Sequence, residues 1–173
     1  MRCLGMLVGT LAVLLPVASA QQGIDVPAII ETDEIVELIG GAEEDILVAS
    51  TSFQNMALVE ALRQATNERG VRVFILTTAR ATELGGSGVD HLAATNIVNH
   101  GGQSLTRLAA VDADIMVVDY AVLIEGDLIG KEANGAAYGT TASQNASRIN
   151  FVVNRFSGVY EDAPVYTPEA TAR

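Results

Sequence analysis

The sequence predicts a single α/β domain in which a mixed, mostly parallel β-sheet is flanked by helices. Short, continuously apolar runs alternate with longer segments whose apolar residues recur every three or four positions, as expected for strands alternating with amphipathic helices. The run at 46–50 suits a strand that is covered on both faces. Residues 46–76 form a predicted strand-helix-strand unit, and the right-handed crossover of such a unit makes its two strands parallel.

The first twenty residues are typical of a secretory signal peptide. Arg2 supplies the positive start, residues 4–17 are mostly apolar, and Ala18-Ser-Ala20 forms a small-x-small cleavage site. Cleavage before Gln21 predicts an extracytoplasmic protein, periplasmic or secreted, without an integral membrane span. A retained N-terminal anchor is the alternative. The mature chain would then lack cysteine, because Cys3 lies in the removed segment, so a buried core must supply its stability.

Residues 31–156 are the predicted domain, preceded by an extended lead-in at 21–30. Thr32 is expected to cap a short helix that ends at Gly40-Gly41. The remaining predicted elements of the first half are a strand at 46–50, a helix at 55–69 that Gly70 ends, and a strand at 71–76.

The second half of the chain is expected to be less regular. Its predicted elements are a connection at 77–88, a helix at 89–99, strands at 104–109, 115–118 and 121–125, a mobile polar loop at 130–147, and a last strand at 149–153. Residues 157–173 contain two prolines and are predicted to be a flexible C-terminal tail.

The charge balance argues against several classes of partner. The chain carries ten basic and twenty-one acidic residues, a formal net charge of −11, and its Lys and Arg residues are not clustered. Nucleic-acid binding usually depends on several Lys or Arg contacts to phosphates. The phosphates repel a strongly negative protein. We therefore consider nucleic acid and anionic membranes to be poor partners. A simply soluble acidic domain is the alternative explanation of the charge.

The most informative pattern begins at Asp112-Ala-Asp-Ile-Met-Val-Val-Asp119. It resembles the active-site strand of the phospholipase D superfamily, His-x-Lys-x(4)-Asp, which a Gly-Ser-x-Asn follows. Asp112 stands at the histidine position, Asp114 at the lysine position and Asp119 at the aspartate position. Further along, Gly126 matches the glycine, whereas Asp127 replaces the serine, and Ile129 stands where the family has asparagine.

Two other segments support the resemblance, which covers about residues 29–155. Thr51-Ser-Phe53 is similar to the family's strand-end motif, and residues 61–73 resemble its helix, Arg-Gly-Val turn and second strand. The chain is similar in size to the small secreted bacterial endonucleases that carry one signature per chain and pair to complete one active site. The resemblance therefore implies a homodimer, or a heterodimer with an active paralogue.

The substituted positions predict a loss of the family's chemistry. In the family, one histidine attacks phosphorus and lysines hold the phosphate oxygens. Here carboxylates occupy both positions, with no cation expected beside Asp112, and they would repel a phosphodiester. The family's acid near the last strand and its closing helix are also expected to be missing. We predict a catalytically inactive binding or scaffolding module. The alternative is a phosphodiesterase or endonuclease, metal-assisted through the aspartates.

An acidic cluster is the one positive feature of the predicted site. The resemblance implies that these carboxylates gather at the mouth of the pocket: Asp112, Asp114, Asp119, Glu125 and Asp127. We expect no organic cofactor, but Asp112, Asp114 and Asp127 could hold Ca²⁺ or Mg²⁺. The alternative is a vestigial, solvated pocket. The two histidines, His91 and His100, lie nine residues apart on one predicted helix and are expected to be solvated on opposite sides of it.

Overall fold

A computed structural model describes residues 28–126 and 140–169 of the chain. The first-half elements are β1 (Ala28–Ile29), α1 (Thr32–Gly40), β2 (Asp45–Ser50), α2 (Met56–Arg69), β3 (Arg72–Thr77) and α3 (Ala79–Glu83). They are followed by α4 (Val89–Asn99), β4 (Thr106–Leu108), β5 (Ile115–Val118), β6 (Val122–Glu125), β7 (Thr141–Ser143) and α5 (Ala146–Asp162). The predicted signal peptide lies outside the described residues.

The strands form one mixed sheet in the order β1-β7-β6-β5-β2-β3-β4. β2 pairs with β3 and β3 with β4 in parallel, whereas the other described pairs are antiparallel. The α/β class is confirmed, but the expectation of a mostly parallel sheet was wrong. The reason is the length of the connections between strands. Long connections that contain α2 and α4 allow parallel crossovers, whereas the short turn between β5 and β6 can join only antiparallel strands.

Helices cover both faces of the sheet and make two apolar cores. Alternate residues of a strand point to opposite faces, and β2 is buried along its whole length. Ile46 and Val48 pack in the core shared with α1, α2 and α4. Leu47 and Ala49 pack in the core shared with α5. β2 is therefore a central strand that requires a cover on each side.

The strand-helix-strand unit is confirmed almost residue by residue. Asn55 caps α2 by accepting a hydrogen bond from the Leu58 amide at 3.4 Å, and Gly70 ends the helix at φ 72. A left-handed residue at this position favours glycine. α1 begins one residue earlier than predicted, because Glu31 rather than Thr32 is its cap, and the Glu31 amide donates to the Glu34 carboxylate at 2.9 Å.

Over residues 140–153 the predicted loop and last strand were wrong, because the chain forms β7 and then the seventeen-residue helix α5 there. Residues 130–139 of the predicted loop lie outside the described residues. Asn145 caps α5 by accepting from the Arg148 amide at 3.0 Å. Ile149 and Phe156, seven residues apart, are its buried residues. The apolar run at 149–153 is short enough to suit a strand, and only the longer spacing to Phe156 and Tyr160 indicates a helix.

The segment predicted as a flexible tail is ordered as far as the structure describes it. It continues α5 to Asp162 and then runs along β4, where the Leu108 amide donates to Pro164 and the Tyr166 amide to Thr106. The Tyr166 hydroxyl also donates to Asp90 at 2.5 Å. This segment covers the edge of β4, which would otherwise present unpaired backbone groups. The domain thus extends past residue 156.

Asp119 holds the turn between β5 and β6 to the start of β2. Asp119 and Tyr120 have φ values of 49 and 55, and they are the two central residues of a turn in which the Ala121 amide donates to the Val118 carbonyl at 2.9 Å. The Asp119 carboxylate accepts hydrogen bonds from the amides of Glu43 and Glu44 at 2.9 Å and from Asp45 at 3.2 Å. This residue therefore has a structural role that ties two distant segments together.

We predict that Asp119→Ala lowers the free energy of unfolding by about 2 kcal/mol or more. The change removes hydrogen bonds to a charged acceptor and places an alanine in the left-handed region. Urea denaturation at pH 7 measures the loss. Asp119→Asn is the matched control, because it keeps an acceptor oxygen and tolerates the backbone, and it should lose less than half as much. An Asp119→Ala protein as stable as the wild type would contradict this role.

Candidate functional site

An acidic depression lies where β2 ends and β5 begins. We define the acidic depression by Thr51, Asp112, Asp114, Glu125 and Gly126, all of which line it. The antiparallel pairing of β5 with both β2 and β6 brings these residues together, because Ile115 lies opposite Ala49 on one side and Glu125 on the other. The depression is thus built from three strand ends.

Asp114 is engaged with the end of β2. Its Oδ1 atom accepts a hydrogen bond from the Thr51 amide at 2.9 Å, and the Thr51 hydroxyl lies 3.5 Å from the same atom. The Asp114 carbonyl accepts from the Gly126 amide at 3.2 Å, and Gly126 has a φ of 134, which favours glycine. Asp114 therefore helps to hold the depression together.

The structure brings together some of the predicted acidic residues and separates another. Asp112, Asp114 and Glu125 line the depression, whereas Asp119 lies at the other end of β2, where it binds the backbone of residues 43–45. Six residues of β2 separate the two ends, about 20 Å at the usual rise of a strand. The expected gathering of Asp119 with the other carboxylates was wrong. Asp127 lies outside the described residues.

Two arginines of α5 face these acids. Arg148 forms a two-pronged ion pair with Glu125, with N–O distances of 2.7 and 2.8 Å. This hydrogen bonding raises the pKa of the Arg148 guanidinium above its ordinary value. Arg155 contacts Asp112 through one nitrogen at 3.3 Å. The expectation that no cation lies beside Asp112, and that the closing helix is missing, was therefore wrong.

The arginines escaped the sequence analysis because they flank residues 149–153, which were assigned to a strand. In a helix, residues seven apart lie close to the same face, so Arg148 and Arg155 share a face of α5. If the segment were a strand followed by a loop, residues seven apart would not share a face. The signal that could have found them is Asn145, whose side chain is typical of a helix start.

A cleft of about 240 Å³ opens beside the acidic depression. We call it the α5 cleft and define it by a floor of Ala49, Leu76 and Phe156 and a mouth formed by Asp112 and Arg155. The floor residues are buried, and the mouth residues are exposed. Glu125 and Arg148 also line it, so the cleft combines an apolar concave surface with two positive and two negative groups.

The histidines lie away from this site. His91 is exposed on α4. His100 follows α4 and is half-buried, and burial, together with the nearby charge of Arg72, lowers the pKa of its imidazole. Arg72 begins β3 at the end of the sheet opposite the acidic depression. Neither imidazole lines the acidic depression, so neither can replace the missing nucleophile there.

Within residues 28–126 and 140–169, no three His, Cys, Asp or Glu side chains are placed to hold a metal ion. Asp127, the third predicted ligand, is outside them. Across the same ranges, the helices are too short or too polar to cross a membrane.

The arrangement of strands and helices is similar to that of solved phospholipase D family structures. The phospholipase D family member Nuc from Salmonella typhimurium superimposes with a TM-score of 0.61 at 14% identity, over 82% of this chain and 99% of that one. NucT from Helicobacter pylori gives a TM-score of 0.59 at 12% identity, over 82% and 99% of the two chains.

A third similar structure is longer than this protein. TrmBL2, an archaeal chromatin protein described as showing a novel mode of DNA binding, has a TM-score of 0.55 at 18% identity, over 82% of this chain and 55% of that one. No protein-family model matches the sequence, and no curated protein is similar to it. At identities of 12% to 18%, the structural similarity shows the fold alone and assigns no activity to this chain.

Proposed function

We propose that this protein is an extracytoplasmic phospholipase D-like domain that has lost catalysis and acts as a binding or scaffolding module. The observation that carries the proposal is the pair of carboxylates, Asp112 and Asp114, at the signature positions of the nucleophile and the phosphate-holding lysine. Phosphoryl transfer needs a nucleophile and positive groups around the phosphate oxygens. Asp114 instead accepts the Thr51 amide, so a negative charge occupies that place.

The charges around the acidic depression support the same conclusion. Arg148 and Arg155 are matched by Glu125 and Asp112, and Asp114 adds a further negative charge. The side chains named here therefore leave no surplus of positive charge for a phosphodiester. Like charges at close range in a partly buried site repel one another more strongly than in water. Binding of a phosphodiester is disfavoured before any chemical step.

The proposed location and assembly follow from the sequence and the fold. The signal-like residues 1–20 support export to the periplasm or beyond. Because the chain matches nearly the whole length of Nuc, we propose that it pairs in the manner of small single-signature relatives, as a homodimer or with an active paralogue. The net charge of −11 argues against nucleic acid as the partner.

We predict that the mature protein does not hydrolyse bis(4-nitrophenyl) phosphate above the buffer blank, in Mg²⁺, in Ca²⁺ or in chelator, because carboxylates occupy the positions of the nucleophile and of the phosphate-holding lysine. The release of nitrophenol measures this. The comparison variant combines Asp112→His, Asp114→Lys, Asp127→Ser and Ile129→Asn, which rebuilds much of the signature, and circular dichroism checks that it folds.

Two results bear directly on the proposal. Weak hydrolysis by the folded four-residue variant, with none by the wild type, supports a degenerate site on an intact scaffold. Chelator-resistant hydrolysis by the wild type that Asp112→Ala abolishes would overturn the proposal, because it would make Asp112 a working nucleophile.

A second proposed function is metal-assisted phosphodiester cleavage, and the observation that favours it is that Asp112 and Asp114 line one depression. Carboxylate oxygens suit Ca²⁺ and Mg²⁺, and the proposed ligands are Asp112, Asp114 and Asp127. In a pair of chains, the carboxylates of both copies would add to this site. A bound cation would offset their mutual repulsion.

We predict that Ca²⁺ or Mg²⁺ raises the melting temperature of the wild type more than that of Asp112→Asn/Asp114→Asn. A cation at a hundred times its dissociation constant adds about 2.7 kcal/mol of stability. The matched control is Asp33→Asn/Glu37→Gln, which removes two exposed acids from α1 and should respond like the wild type. Sedimentation of the same samples reports pairing. An equal response of all three proteins would contradict a specific cation site.

A further inference from the structure

The α5 cleft has an apolar floor that is already ordered. Leu76 and Phe156 are buried, and Phe156 stacks on Tyr160 with ring centroids 5.6 Å apart. Tyr160 is held in turn by an edge-on contact with Phe74 and by Arg107, whose guanidinium carbon lies 4.8 Å from its ring centre. A ligand would therefore meet a surface that need not rearrange, which favours binding.

An aromatic side chain stands uncovered beside this floor. Phe151 lines the cleft and is 65% exposed. Val159, two turns further along α5, also lines the cleft and is partly exposed. Water in contact with a concave apolar surface is readily displaced by an apolar group of matching size. The cleft volume of about 240 Å³ suits a phenyl ring with a short chain.

The charges at the mouth differ in how firmly they are held. Arg148 uses two nitrogens on Glu125 at 2.7 and 2.8 Å. Arg155 contacts Asp112 through one nitrogen at 3.3 Å, and the two side chains are 66% and 84% exposed. An exposed ion pair of this kind is weak, and a guanidinium has five N–H donors. Arg155 can therefore donate hydrogen bonds to the carboxylate of a ligand, either in addition to Asp112 or in place of it.

We infer that the α5 cleft binds a small monoanionic amphiphile, an aromatic or short aliphatic carboxylate. Its apolar body lies on Leu76 and Phe156, and its carboxylate pairs with Arg155. A dianion is disfavoured because Asp112 and Glu125 flank the same opening, and a neutral ligand gains only the apolar contact. The inference rests on the proposed function in that it assigns a ligand class to a site that binds without catalysis.

The test uses calorimetric titration of the mature protein with 4-phenylbutyrate, its neutral analogue 4-phenylbutyramide, and the dianionic 4-phenylbutyl phosphate. The carboxylate should bind about tenfold more tightly than the amide, the size of effect expected for one charge-assisted hydrogen bond, and more tightly than the phosphate. Arg155→Gln should reduce carboxylate binding to the level of the amide. Asp112→Asn should strengthen it several-fold, because the internal competitor for Arg155 is removed.

Arg63→Gln is the matched control, since Arg63 pairs with Glu60 on α2, away from the cleft, and it should bind like the wild type. Equal binding of carboxylate and amide, or unchanged carboxylate binding by Arg155→Gln, would overturn the inference. Weaker binding by Asp112→Asn would do the same. A negative result in the titration would not affect the hydrolysis test. Hydrolysis by the wild type would overturn the proposed function, whatever ligand the α5 cleft binds.

Discussion

The packing of α5 on the sheet is the constraint on which the rest of the structure depends. β2 is buried on both faces, so one helical layer is not enough to cover it. α5 supplies the second layer through Ile149 and Phe156, which pack against Leu47 and Leu76. The same placement sets Arg148 opposite Glu125 and Arg155 opposite Asp112 and forms one wall of the α5 cleft. The packing that covers the second face of β2 therefore also sets the two ion pairs of the site.

The two ends of β2 have different roles. At its start, the buried Asp45 carboxylate is paired by both prongs of Arg72 and accepts from the Tyr120 hydroxyl. Burial and this hydrogen bond raise the pKa of Tyr120 to about 12. The Arg72 side chain is 57% exposed, so only the carboxylate of this ion pair is buried, and the pair fixes geometry more than it adds stability. At the other end, Asp112 is mostly exposed, and its charge is available to solutes. The first end holds the fold, and the second is the end open to ligands.

The sequence predicted those elements whose local signals and tertiary surroundings agree. β2, α2 and β3 combine apolar runs, a capping Asn55 and a terminating Gly70, and they were placed within a residue or so. The residues from 140 onward were misassigned because the apolar run at 149–153 is compatible with a strand or a helix, and packing against the sheet decides between them. That error hid Arg148 and Arg155. Asp119 stands at a position of the motif that the sequence resembles, but spacing along a chain does not reveal that a strand carries two motif positions to opposite ends of the sheet.

α5 lies over the sheet with its arginines against the acids of the depression, and this placement can be measured. A charge-swap cycle on Glu125 and Arg148 tests it most directly, with Arg148→Glu, Glu125→Arg and the double variant compared by urea denaturation. The account predicts that each single variant is destabilised and that the double variant recovers most of the loss, with a coupling free energy of about 1 kcal/mol. Losses that simply add, with coupling within about 0.3 kcal/mol of zero, would mean that the two side chains do not meet and would contradict the placement of α5.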